Sequence, residues 1–156
     1  MIANELSLEA RDYDMAFTEV SFLLDMFVDT IVTFVGKSTP SLAVAAGRRM
    51  ADNMPVHMTD KTPEVALQEL VRIFRIQQME IDGRFNGPEA EISISHCPIS
   101  SVCKQRNMDL DGQACQMFHY YIAGILAELA GCPARPKTVA TGESCTFTLA
   151  FSRPRQ

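Results

Sequence analysis

After Ile76 the spacing of apolar residues changes from three and four to two, and this switch constrains the fold more than any other feature of the sequence. Beyond it Met79, Ile81 and Phe85 alternate with Glu80, Asp82 and Arg84. Asn86-Gly87 follows, a dipeptide that tolerates positive φ at both central positions of a tight hairpin turn. A second arm places Ala90, Ile92, Ile94 and His96 on one face and Glu91, Ser93 and Ser95 on the other, until Cys97-Pro98 stops it. Two more strands end the chain: Lys137 to Thr141, then Cys145, Phe147, Leu149 and Phe151 alternating with Thr146 and Thr148, with Gly142-Glu143-Ser144 as their turn. Strands joined by tight turns favour an α+β fold, in which an antiparallel sheet of about four strands packs against helices in two layers.

The helices precede and interrupt this pattern. From Tyr13 to Val35, Phe17, Val20, Leu24, Phe27, Ile31 and Phe34 form an apolar row opposite Asp14, Thr18, Ser21, Asp25, Asp29 and Thr33. Phe22, Leu23, Met26 and Val28 widen the apolar side beyond what one neighbouring layer covers, so the helix is either plain core or the seam of a homodimer. Gly36 ends it. Ser38-Thr39-Pro40 opens a second helix to about Asn53, in which Ala43, Ala46 and Gly47 permit close approach. Thr62-Pro63-Glu64 opens a third, with Val65, Leu67, Leu70, Val71 and Phe74 inward and a Glu69–Arg72 pair outside. His57 reads as a surface loop residue. Pro98 to Asp111 reads as irregular and leads into a helix from about Gly112 to Ala130, which buries Ala114, Phe118, Tyr121, Ile122, Ile125 and Leu129 and stops at Gly131.

With 156 residues of which 47% are hydrophobic, a single domain over 1–156 can bury a real core. Lys and Arg number 14 against 19 Asp and Glu, and both signs are scattered, which argues against a nucleic-acid groove. The longest apolar stretch is cut by Asp25 and Asp29 and no cleavable leader precedes it, so a cytoplasmic protein without a membrane span is expected. Five cysteines are an odd count for a disulfide scaffold and point the same way, to reduced thiols.

Four of those cysteines can meet. A helix of about 19 residues spans roughly 28 Å, so its two ends cannot share a site. Cys115 lies in its first turn and Cys132 just past its last. The strand after Gly131 must run back along the helix to pack, so the turn at Gly142 to Ser144 returns to the helix start and brings Cys145 beside Cys115. Cys97 and Cys103 lie on the path into that same end, while Cys132 is left behind. Unpaired N–H groups at a helix start favour sulfur anions, and four such sulfurs would suit zinc or an iron–sulfur cluster, with His119, one turn from Cys115, or His96 as a substitute ligand. Three readings stand side by side: buried apolar thiols, metal ligands, or a nucleophilic thiol with His96 or His119 as its base. Phe118, Ile122 and Phe147 are the expected wall of a pocket for an apolar small molecule. No phosphate loop and no serine-hydrolase elbow is present.

The run Cys97-Pro98, Cys103, Gly112-Gln113-Ala114-Cys115-Gln116-Met117-Phe118, Gly124-Ile125-Leu126 and Gly142-Glu143-Ser144-Cys145-Thr146-Phe147 resembles the 4-vinyl reductase type, or hydrocarbon-binding, small-molecule-binding domain. The resemblance covers Cys97 to Phe151. It implies a fold similar to the vesicle-tethering transport protein particle subunits, dimers formed through long helices, and an apolar pocket with a cysteine-based metal site on Cys97, Cys103, Cys115 and Cys145, used to sense or deliver its ligand. A related group, thiol-rich hydrolases of aminothiazoline carboxylate, shares this C-terminal style and implies a thiol- or metal-dependent hydrolase as the alternative.

Overall fold

A computed structural model describes residues 9–142 and 144–152. The expected turn at Gly142-Glu143-Ser144 falls in part on Glu143, which lies outside the described residues, as do 1–8 and 153–156 of the expected domain. Three helices come first: α1 (Ala10–Val35), α2 (Thr39–Ala51) after a short 3₁₀ turn, and α3 (Pro63–Ile76). The hairpin β1 (Glu80–Asn86) and β2 (Glu89–Ser95) follows, then α4 (Pro98–Arg106), α5 (Gln113–Ala130), β3 (Ala134–Ala140) and β4 (Ser144–Phe151). All pairings are antiparallel and the strand order is β1-β2-β4-β3, so β4 is inserted between β2 and the edge strand β3. The fold is α+β, as the change of period predicts.

The alternation sets the layers. Ile81, Ala90, Ile92, Ile94, Cys145, Phe147 and Leu149 point from the sheet into the core and meet Leu67, Leu70 and Ile73 of α3 and Ile122, Ile125 and Leu126 of α5. The other face carries Ser, Thr and charged residues, among them Ser93 and Thr146, whose hydroxyls are 3.2 Å apart. The Thr62 hydroxyl caps α3 by accepting from Val65 N–H. Glu69 pairs with Arg72 as expected but is buried and also accepts from the His57 N–H at 2.7 Å; the guanidinium draws its carboxyl down to about 2. The His57 ring itself is exposed.

α2 is pressed directly against α5. Gly47 and Gly124 are the points of contact: a β-carbon on either would fall on the backbone of the opposite helix, at Tyr121 O and Val44 O respectively. Of the small residues in α2, Gly47 therefore serves helix approach.

Three local expectations are corrected. Pro98 to Arg106 is a helix rather than an irregular segment: Pro98 sits in its first turn and Asn107, at φ 54°, ends it. Few apolar residues mark its period, which hides it from pattern reading. His96 leaves the face of Ile92 and Ile94 because its φ of 51° turns the chain; the ring is 85% exposed beside Glu80, and Cys97 goes inward in its place. Finally, α1 is rotated from the expected orientation: Leu24 and Val28 pack inward together with the middle of the polar stripe, while Asp14, Asp29 and Thr33 stay exposed. Ser21 is buried, Asp25 pairs with Arg106 at 3.5 Å and Thr18 accepts from Gln105, while Phe17, Val20, Phe27 and Phe34 of the expected inner row are 41, 61, 62 and 84% exposed.

Candidate functional site

The start of α5, the start of α4 and the start of β4 meet, and the sulfurs converge there. Cys97, Cys115, Cys145 and His119 border one small cavity together with Ile99, Ser100, Phe118 and Gly142. It offers about 10 Å³ to the centre of a water molecule, room for a single water or ion. The length argument for α5 is realised: β3 carries the chain back, and Ser100 Oγ reaches Gly142 O at 3.5 Å. Cys103 is fully buried one layer away, in a cluster with Val28, Ala114 and Cys115. Cys132, beyond the far end of α5, lies in the main core.

His119 is the unusual member. Its Nε2 is 3.1 Å from Cys145 Sγ, and its ring lies on Phe147 with centroids 4.4 Å apart. Whichever of the two atoms carries the shared proton, Nδ1 remains buried with no partner. Burial lowers the imidazole to about 4, so the ring is neutral at physiological pH. The thiols shift the other way. Burial raises Cys97, raises Cys103 to about 11 with Cys115 adding to the effect, and raises Cys145 to about 12.

These shifts bear on the two reactive readings. A nucleophilic thiol needs thiolate near neutral pH, and His96, on the outer edge beside Glu80, is no base for it; the hydrolase alternative gains no support. For a metal the donor types are suitable, soft sulfur with one imidazole whose Nδ1 is unspent. Among the described residues, however, no group of three or more His, Cys, Asp or Glu side chains is arranged to hold an ion.

A second cavity adjoins the first through Ile99 and Phe118, which border both. It lies among four helices, with Leu24 and Val28 from α1, Ala43 and Ala46 from α2, and Ala114, Met117 and Tyr121 from α5. Its volume is about 190 Å³ and Tyr121 is its only residue with a polar side chain. Of the expected wall residues, Phe118 lines it, whereas Ile122 and Phe147 are fully buried on the sheet side of α5 and line neither cavity. Sequence reading missed this space because its makers are alanines, which the pattern assigns to helix contact. The usable signal is their coincidence: Ala43, Ala46 and Ala114 leave a gap where larger residues would close it.

With this geometry in place, comparison with solved structures gives a fold. The chain superposes on the crystal structure of the phenol-responsive sensory domain of the transcription activator PoxR with phenol. The TM-score is 0.57 at 13% sequence identity, over 83% of this chain and 73% of that one. The likeness is one of fold. No protein-family model matches the chain, and no curated protein matches it. Among the described residues no helix is long and apolar enough to cross a membrane.

Proposed function

We propose that this chain is a cytosolic domain that binds an apolar small molecule between α1, α2, α4 and α5, in order to sense or carry it. The observation that carries this reading is the lining of the larger cavity, nine residues of which eight present only carbon or a thioether. The space is a pocket open to solvent on one side, with Ala46 exposed at its rim, and its volume of about 190 Å³ is the size of a single substituted ring. Further support comes from the fold shared with a sensory domain crystallised with phenol, and from the resemblance of Cys97 to Phe151 to the 4-vinyl reductase type domain. The Tyr121 hydroxyl is the one side-chain polar group available, so toluene is expected to bind at least as well as phenol. Calorimetric titration of the full chain tests this. Toluene binds the wild type, and Ala46→Phe, which puts a ring into the space, weakens it about tenfold or more while the melting temperature holds. Toluene affinity unchanged in both Ala46→Phe and Val28→Phe overturns the assignment.

The finer part of the reading is a metal on Cys97, Cys103, Cys115 and Cys145 with His119. Its support is that Cys97, Cys115, Cys145 and His119 border one small cavity, with Cys103 in the neighbouring cluster; the volume favours a single zinc over an iron–sulfur cluster. Binding must displace the protons that burial holds on Cys97 and Cys145. Untagged protein is expected to carry about one zinc per chain, less in Cys115→Ser and Cys145→Ser; equal metal in all three removes this part and leaves the apolar cavity untouched. The partner reading is a homodimer through α1.

A further inference from the structure

The cations of this chain are divided in a way that the apolar cavity does not use. Arg11, Arg72, Arg75, Arg84, Arg106 and Lys137 each lie against a carboxylate. Among the described residues Lys37, Arg48, Arg49, Lys61, Lys104 and Arg135 form no ion pair, and three of them, Lys37, Arg48 and Arg135, line two grooves that meet at Pro40 and Tyr120. The groove beside α2 has a volume of about 420 Å³ and holds Arg48, Arg135, Ser41 and Tyr120 over a floor of Val44 and Ala127. Its continuation, about 270 Å³, runs past Tyr120 to Lys37 and Gln116. Neither lining contains an Asp or Glu. On a chain of formal net charge −5, carboxylates are the commoner charged side chain, and their absence from both grooves leaves a positive channel in an otherwise acidic protein.

We infer that this groove is a second binding site, separate from the apolar cavity, for an organic anion with an apolar body. The anionic group lies between Arg48 and Arg135, whose planar guanidiniums present paired donors to a carboxylate or phosphate. Ser41 and Tyr120 supply neutral hydroxyl donors, and Val44 with Ala127 receives the carbon skeleton. The positive end of α2 at Thr39 adds to the field but is not needed for it.

The test uses the full chain with benzoate, benzamide and inorganic phosphate, followed by backbone amide NMR shifts at low and high salt. Benzoate is expected to shift signals of Val44 to Arg48 and Tyr120, more weakly at high salt, and to lose about tenfold in affinity in Arg48→Gln and in Arg135→Gln. Arg49→Gln, on the neighbouring residue outside the groove, should leave it unchanged. Both arginines are exposed, so the variants keep the wild-type amide spectrum elsewhere. Benzamide binding as tightly as benzoate, or benzoate binding indifferent to both arginine variants, overturns the site. Phosphate binding as tightly as benzoate overturns the apolar-body half and leaves a simple anion site. None of these outcomes depends on toluene.

Discussion

Gly47→Ala and Gly124→Ala are each expected to cost this chain more than about 4 kcal/mol, a large share of a total of about 5–15. Propensity alone gives the opposite sign, since alanine in a helix interior is better than glycine by about 1 kcal/mol. Packing decides. A β-carbon on Gly47 would overlap Tyr121 O and lie 2.9 Å from Ile125 N; one on Gly124 would overlap Val44 O and lie 2.9 Å from Val44 C. These atoms belong to helix backbone, so no rotamer change removes them, and only separation of α2 from α5 relieves the clash. Separation would open the apolar cavity, which Ala43 and Ala46 wall from the same helix. Urea unfolding followed by far-UV circular dichroism measures the effect, with Gly142→Ala as control because its β-carbon meets nothing nearer than 3.7 Å. A transition within about 1 kcal/mol of wild type for either α2–α5 variant would show that the two helices are not held backbone to backbone.

What the sequence makes legible depends on whether the information is periodic. The sheet is legible because alternation over Ile81 to Phe85, Ala90 to Ile94 and Cys145 to Phe151 has one solution once Asn86-Gly87 fixes the turn. The convergence of Cys97, Cys115 and Cys145 is legible because α5 is a ruler: its length forces β3 to return and separates Cys132 from the rest. His96 defeats parity, since a single residue at positive φ reverses the side on which its successor lies. α4 defeats it through sparse apolar content. The apolar cavity is a property of missing volume, and a sequence records what is present at each position more plainly than what three alanines on two helices jointly omit.

The two cavities also differ in how they depend on protonation. The larger has no group titrating near neutral pH, since its Tyr121 hydroxyl is raised by burial. An apolar ligand should therefore bind alike from mildly acidic to mildly basic solution. The thiol and imidazole cavity is linked to pH through His119: burial holds its imidazole at about 4, below the ordinary 6.5, so stability is full above about 6.5 and falls as the pH drops from there toward 4, while burial keeps Cys97 and Cys145 protonated. Ile99 and Phe118 touch both spaces, so an occupant of one sets the position of side chains that bound the other.

The full chain is expected to sediment as a dimer, and Phe27→Asp combined with Phe34→Asp to sediment as a folded monomer. α1 is 26 residues long, about 39 Å, and the middle of its polar stripe is held by its own protein, with Ser21 buried, Asp25 on Arg106 and Thr18 on Gln105. Arg106 also lies over the Phe22 ring at 4.9 Å, which fixes the rotation of the helix. Four members of the apolar row are thereby aimed outward: Phe17, Val20, Phe27 and Phe34 are 41 to 84% exposed. Burying a large apolar side chain contributes about 1.5–3 kcal/mol, so four such positions repeated on a second copy form the apolar centre that a dimer interface needs. A second copy is the occupant that needs nothing further, because a two-fold axis sets the same row against itself. In the double variant the dimer dissociation constant should rise about a hundredfold or more. The melting temperature at low concentration should not fall, since neither ring packs within one chain, whereas Val28→Asp, at a buried position, should unfold it. Wild-type protein that sediments as a monomer at tens of micromolar, or a double variant that stays dimeric, would remove α1 as the seam.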